Sequence, residues 1–282
     1  MSYQPSELQM QRLAARRRAS RRSTFIALAS TLAFGFVITL VVTGAQGYEK
    51  VKASFFDWEY AKQALPSVAE GLLLNLRVLV MAEFFVLVLG LLIAIARTST
   101  SPVLYPVRLV ATIYTDLFRG LPLLLVLLLV GLGIPGLRIS WIPNSAVVLG
   151  TVALVLTYSA YVAEVIRAGI EGVNPTQRQA ARALGLSQSQ TLEHVVLPQA
   201  MRNVTPPLLN DLVSLQKDSG LISVLGAVDA IRAAGIQTAQ TFNFTPYLVA
   251  GALFVLLTIP LTRFTDWLTR KQDARQRAQG QW

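Results

Sequence analysis

Cysteine is absent from the 282 residues, which excludes disulfides and thiolate-bound metals, and a single histidine, His194, leaves too little material for a metal centre or a His-based triad. No catalytic residue and no metal ligand set is assigned. A Gly-rich phosphate loop ending in Lys is missing as well, so any ATP hydrolysis must belong to another chain. Charge is scarce: 14% of the residues are Asp, Glu, Lys or Arg, against about 25% in soluble domains. An integral-membrane enzyme is therefore disfavoured, for want of Cys and His chemistry.

What is abundant is apolar. With 53% hydrophobic residues and a mean hydropathy of +0.51, the chain reads as a polytopic membrane protein. Apolar blocks of spanning length run over residues 24–42, 71–96, about 109–133, 145–166, about 207–228 and 247 to about 261. The first is too long for the core of a cleaved signal peptide and is expected to be retained. Six spans place both termini on one side of the membrane.

The distribution of cations says which side. Grouping the tails with the loops at 97–108 and 167–202 collects sixteen: six N-terminal arginines, Arg97, Arg108, Arg167, Arg178, Arg182, Arg202, Arg270, Lys271, Arg275 and Arg277. The opposite face keeps five, Lys50, Lys52, Lys62, Arg138 and Arg232. By the positive-inside rule the first group is cytoplasmic. The same rule, together with attraction to an anionic leaflet, accounts for the net charge of +10 without nucleic acid, which is not expected as a partner. Membrane lipid is.

The expected plan is a basic cytoplasmic tail (1–23), an N-terminal span (24–43), an external segment (44–68), a core of five spans (69–268) with a long cytoplasmic loop (168–203), and a second basic tail (269–282).

Ionisable groups at membrane depth are costly and usually face a cavity or one another. Asp116 and Arg119 stand three apart in the third span, beside the helix breakers Gly120 and Pro122. Asp211, Ser214, Lys217 and Asp218 form a polar run in the fifth, with Asp211, Ser214 and Asp218 at helical spacing. Glu164 lies near the cytoplasmic end of the fourth. These seven are candidates for a solute path, because a zwitterion needs partners for both charges and Arg119 could meet a carboxylate. The alternative is structural: Asp116 with Arg119, and Lys217 with Asp211 or Asp218, as internal pairs.

The stretch QAARALGLSQSQTLEHVVLPQA, residues 179–200, interrupts the apolar pattern. Asn174 as N-cap, Pro175 at the first helical position, and Gln177 in a capping-box place predict one short helix, stopped by Gly185. Ser187 and Gln190 predict a second, ending before Pro198. His194 belongs to the surface of that second helix. The pair could rest on the membrane or dock a soluble partner.

Gln179, Ala180 and Ala181, then Gly185 after three residues, then Val195, Leu197 and Pro198, resemble the signature loop of ABC importer permeases: E-A-A, three residues, G, nine residues, I, one residue, L-P. Gln179 replaces the glutamate and Val195 the isoleucine. The segments YTDLFRGLPLL, SAYVAEVIRAGIEGVNPTQRQAARALGLS, LPQAMRNVTPPLLNDLV and LQKDSGLISVLG are similar to permeases for polar amino acids of the histidine, glutamine, glutamate and arginine type. The resemblance covers about residues 71–268.

It implies an all-α fold with six transmembrane helices, a five-helix type I permease core plus one extra N-terminal helix, in a bacterial inner membrane. It implies an amino-acid substrate, a second permease (the same chain or a paralogue), an extracytoplasmic solute-binding protein, and an ATPase dimer that carries ATP and magnesium while this chain binds no cofactor. Gln179, Ala180, Ala181, Arg182, Gly185, Leu186, Leu197 and Pro198 would couple it to the ATPase, with Ala181 and Gly185 at the contact. The competing reading is an ion-coupled secondary transporter using intramembrane charges such as Glu83 and Asp218.

The orientation is testable because the chain has no native cysteine. A cysteine introduced at Glu49 should react with an impermeant thiol reagent in intact cells, and one at Ser187 should not. The reverse pattern would invert the topology.

Overall fold

The computed structural model describes the backbone of residues 7–99, 101–139 and 141–279, and the side chains of 22–99, 101–139, 141–272 and 274. Residues 1–6 of the expected basic tail lie outside the described residues, as do the side chains of Arg12, Arg16, Arg17, Arg18, Arg21, Arg275 and Arg277. Every regular element among the described residues is helical. Lipid offers the backbone no hydrogen bonds, and helices satisfy theirs internally.

Residues 1–56 and 57–282 form two compact units. In the first, α1 (Glu7–Thr43) runs without a break through the basic stretch into the apolar span. Arginine and alanine are strong helix formers, so the missing apolar stripe does not end the helix, which an adjoining span already nucleates. Its segment Arg22–Thr43 has mean hydropathy 2.5 and is wholly unburied. A turn at Gly47 leads to α2 (Tyr48–Phe55).

The second unit opens with α3 (Trp58–Thr98), capped by Asp57, whose carboxylate accepts from the Glu59 and Tyr60 amides. It begins well before Gly71, taking in part of the expected external segment. Next come α4 (Tyr105–Gly120), α5 (Leu123–Leu128), a π turn over Leu129–Gly133, and α6 (Ile134–Gly136). The expected third span is therefore broken: the two halves meet at 107°. Pro122 lacks the amide that would continue the ladder of α4, and it drives Leu121 into extended backbone, φ −90° and ψ 137°.

Beyond it lie α7 (Ala146–Glu171), α8 (Pro175–Ala183), α9 (Gln188–Thr191), a π turn over Leu192–Val196, and α10 (Leu197–Asp218). A 3₁₀ turn over Ser219–Leu225 precedes α11 (Ala230–Thr241) and α12 (Thr245–Gln279). The fifth apolar block, about 207–228, thus ends just past the 3₁₀ turn, and the helical run Gln188–Leu225 that contains most of it meets α11 at 48°. α12 continues as helix from the last span into the expected basic tail, as far as Gln279. Among the described residues four helices are long and apolar enough to span a membrane, or up to six if each bent pair is one span.

The core forms where α3 meets α7. Val78, Leu79, Ala82 and Val86, on one helical stripe of α3, are buried with Leu154, Tyr158 and Val162 of α7 and with Leu215 and Ile222. Large apolar side chains on the other face, Val80, Phe84 and Leu92 among them, remain exposed, as lipid contact allows.

One buried polar knot fixes how the fifth block bends. Asn75, 2% exposed, donates to the Ser219 carbonyl (3.1 Å) and to Asp229 Oδ2 (3.0 Å), and accepts from the Ala230 amide (3.2 Å). Asp229 in turn caps α11 through the Arg232 amide. Backbone comes close enough that a Cβ on Gly71 would stand 2.4 Å from Ala230 N and Asp229 C, so only glycine fits there.

Replacing Asn75 by Leu leaves a buried carboxylate oxygen and an amide without partners, a loss on the order of 2 kcal/mol. The expected outcome is a lower thermal-unfolding midpoint of the detergent-solubilised chain, with Gly71→Val lowering it too. An unchanged midpoint for both variants would show that this knot does not hold the bundle.

Candidate functional site

Three of the seven solute-path candidates meet. Asp211, Ser214 and Asp218 lie along one face of α10 and, with Leu123 of α5 and Thr157, Tyr158 and Tyr161 of α7, line a cavity of about 240 Å³. Tyr158 donates its hydroxyl to Asp218 Oδ2 at 2.6 Å. Asp211 Oδ2 and Thr157 Oγ1 are buried and unpaired, an open demand for a donor and a hydroxyl free to serve a ligand. The cavity is acidic and rich in hydroxyls, a chemistry that receives an ammonium or guanidinium group. A different face of α10 is structural: buried Gln216 accepts from Thr258 of α12 at 2.7 Å.

The expected pairs do not form. Lys217 is exposed and makes no ion pair with Asp211 or Asp218 among the described residues. Asp116 is exposed and likewise unpaired, while Arg119 turns to Glu164 at 3.7 Å. The reason is the crossing of α4 over α7, pinned by the Tyr114 hydroxyl at 2.7 Å from both the Leu156 carbonyl and the Ser159 hydroxyl. That crossing carries Arg119 toward α7 and leaves Asp116 outside.

Glu164 becomes a junction. It accepts from Arg97 at the end of α3 (2.7 Å) and from Arg167 (2.5 and 3.0 Å), with Arg119 of α4 beside it. Arg167 also reaches Glu171, one turn on. Arg178 of α8 then donates to the Ile170 carbonyl at 2.5 Å. Arg178 thus fastens α8 to the last turn of α7, where the neighbouring Glu171 begins a run of ion pairs through Arg167 and Glu164 to Arg97 of α3 and Arg119 of α4.

The loop itself is built by local signals. Asn174 caps α8, accepting from the Thr176 amide at 3.0 Å and from the Thr176 hydroxyl, and among the described residues no capping-box bond from Gln177 accompanies it. At the other end Gly185 (φ 86°) reverses the chain, with Gly185 N bonded to Arg182 O and Leu186 N to Ala181 O. This pair of bonds is a Schellman stop, which needs a left-handed residue. Ser187 and Gln190 close a reciprocal capping box on α9.

The second helix does not end before Pro198. It passes through the π turn into α10. A π turn widens the ladder just where Pro198 can neither donate nor tolerate the carbonyl four residues back.

Of the expected coupling residues, Gln179, Ala180, Arg182, Gly185, Leu197 and Pro198 are exposed and Leu186 is half-buried. Ala181 is 5% exposed and faces inward, seating α8 on its own chain, while Leu184 projects at 85% exposure. The outward face is Ala180, Ala183 and Leu184. His194 is exposed, as expected.

The tyrosines of the cavity escaped the sequence reading, although hydroxyl-bearing Thr157, Tyr158 and Tyr161 inside an apolar span were a visible signal. Arg97 carries no sequence signal beyond its place in a cation-rich loop, and it is the packing of α3 against α7 that brings it to Glu164; Arg167, three residues on from Glu164 in α7, meets it at helical spacing. No metal-holding group of His, Cys, Asp or Glu occurs among the described residues.

Known proteins are similar to this chain in sequence and in fold. The arginine transport system permease protein ArtQ of Bacillus subtilis (strain 168) is 35% identical over 216 residues, covering 76% of this chain and 96% of that protein. The putative glutamine transport system permease protein GlnP of Rickettsia conorii is 37% identical, covering 76% and 98%. A solved structure described as an amino acid ABC transporter with histidines superposes with a TM-score of 0.70 at 34% identity, over 76% of this chain and 98% of that one. The MetNI methionine ABC transporter, 20% identical with a TM-score of 0.57, shares the fold. With residues 87–274 matching the family described as the binding-protein-dependent transport system inner membrane component, and with these relatives, the chain belongs to that family of ABC importer permeases.

Proposed function

We propose that this multi-pass protein is the permease through which a polar amino acid crosses a bacterial inner membrane, delivered by an extracytoplasmic binding protein and driven by a pair of cytoplasmic ATPases. A second permease, another copy or a paralogue, completes the path, and ATP with magnesium resides on the ATPases. Both termini face the cytoplasm. The observation that carries the reading is the cavity of Asp211, Ser214 and Asp218 with Tyr158 and Tyr161, set inside an otherwise apolar bundle. Polar groups at that depth are retained for what passes them.

The outward face of α8, with its small Ala180 and Ala183 and its projecting Leu184, fits closely into a partner's groove. Gln179 and Arg182 flank it, Gly185 and Leu186 set the turn, and Leu197 and Pro198 lead into α10. Displacement of α8 by ATPase closure passes through Arg178 and Glu171 to Arg167 and Glu164, and from there to Arg97 and Arg119. The ends of α3, α4 and α7 then move together, which is what alternating access requires.

Uptake of labelled amino acid into vesicles holding the complete importer tests the path. Asp211→Asn and Asp218→Asn should each lower uptake by about tenfold or more, the scale of one lost charge-assisted bond, with ATPase co-purification intact. Full uptake by both variants would remove the cavity from the path, and uptake insensitive to ATP depletion would remove the importer reading.

Glu164→Gln should separate motor from path. It keeps the shape of the junction while weakening three arginine contacts, so ATP hydrolysis should continue as transported solute per ATP falls. An unaltered ratio would assign Glu164 to packing alone.

A further inference from the structure

A second cavity lies within the cytoplasmic loop, outside the solute path. Arg178 and Arg182 of α8 line it with Gln188 and Thr191 of α9 and Leu192 and Val196 of the π turn, around a volume of about 320 Å³. The two guanidinium groups stand four residues apart on one helix, a like-charge arrangement that opposes helix formation unless an anion lies between or beside them. Neither has a carboxylate within ion-pair range among the described residues.

Their existing bonds use only part of their capacity. Arg178 donates to the Ile170 carbonyl and Arg182 to the Leu186 carbonyl, while Arg178 Nε is buried without a partner. Thr191 is 6% exposed, and its hydroxyl too is buried and unpaired. Two cations and a free hydroxyl around an apolar floor of Leu192 and Val196 describe a receptor for one oxyanion on an aliphatic stem. The Gly185 reversal and the Ser187 capping box hold its walls in place.

We propose that this cavity receives an acidic side chain, Asp or Glu, from the docked ATPase subunit. The proposal rests on the docking of α8 put forward above, and it names the chemistry of that contact. Charge complementarity selects the occupant, and the exposed Arg182, Gln188 and Leu192 leave the cavity open to a neighbouring side chain. The small outward face of α8 gives close approach, and a carboxylate held at Arg182 fixes register and resists sliding when the ATPases close.

The test measures binding of the purified ATPase to the full-length permease in lipid nanodiscs, at low and high salt. Arg182→Gln and Thr191→Val should each weaken binding at low salt, the former by about tenfold, as expected for one charge-assisted contact. Arg182→Gln should also flatten the salt dependence, and Arg182→Lys should restore part of the affinity. Arg178 is left unaltered because it also anchors α8. Unchanged affinity in both variants overturns the proposal. So does stabilisation of the permease alone against heat by inorganic phosphate, at constant ionic strength and dependent on Arg182, with ATPase binding unaffected, because the occupant is then a free anion. Failure of the unaltered permease to bind any ATPase overturns the docking beneath it instead.

Discussion

An unpaired polar group in a medium without water governs this structure at each break in its helices. Inside lipid the backbone is satisfied only along a continuous helix, so each interruption must find substitutes. At the bend before α11 the substitutes are Asn75 and Asp229, which together meet the Ser219 carbonyl and the Ala230 and Arg232 amides. Where the chain instead leaves Asp211 Oδ2 and Thr157 Oγ1 unmet, a cavity has formed around them. The same rule distinguishes a fastening from an opening.

The polar groups gather accordingly in two places, one cavity inside the bundle and one exposed loop. Between them lies Glu164, whose carboxylate draws arginines from three helices to one point. Because α8 is bonded to the last turn of α7 through Arg178, the loop is not a loose appendage. It is tied to α7, whose Thr157, Tyr158 and Tyr161 line the cavity. The inward face of α8 packs on its own chain through Ala181 and Arg178, while Ala180, Ala183 and Leu184 face outward.

Much of this was legible in residue order. The scarcity of charge and the apolar block lengths pointed to an all-helical membrane protein, because an unbroken run of about 20 apolar residues suits a spanning helix whereas a barrel strand is about 10 residues of alternating pattern. Local rules also determined the loop: Asn174, Gly185, Ser187 and Gln190 do their work within four residues of themselves, and each is found where its chemistry predicts. The spacing of Asp211, Ser214 and Asp218 placed them on one face for the same reason. What stayed hidden was everything decided between helices. Three residues of separation suggested that Arg119 balances Asp116, but the angle at which α4 crosses α7 hands Arg119 to Glu164 instead. An alanine in a signature loop suggested a contact, yet only packing decides that Ala181 turns inward while Ala180 and Ala183 turn out. Spacing along a chain fixes which side chains share a face, and only the packed bundle fixes what that face meets.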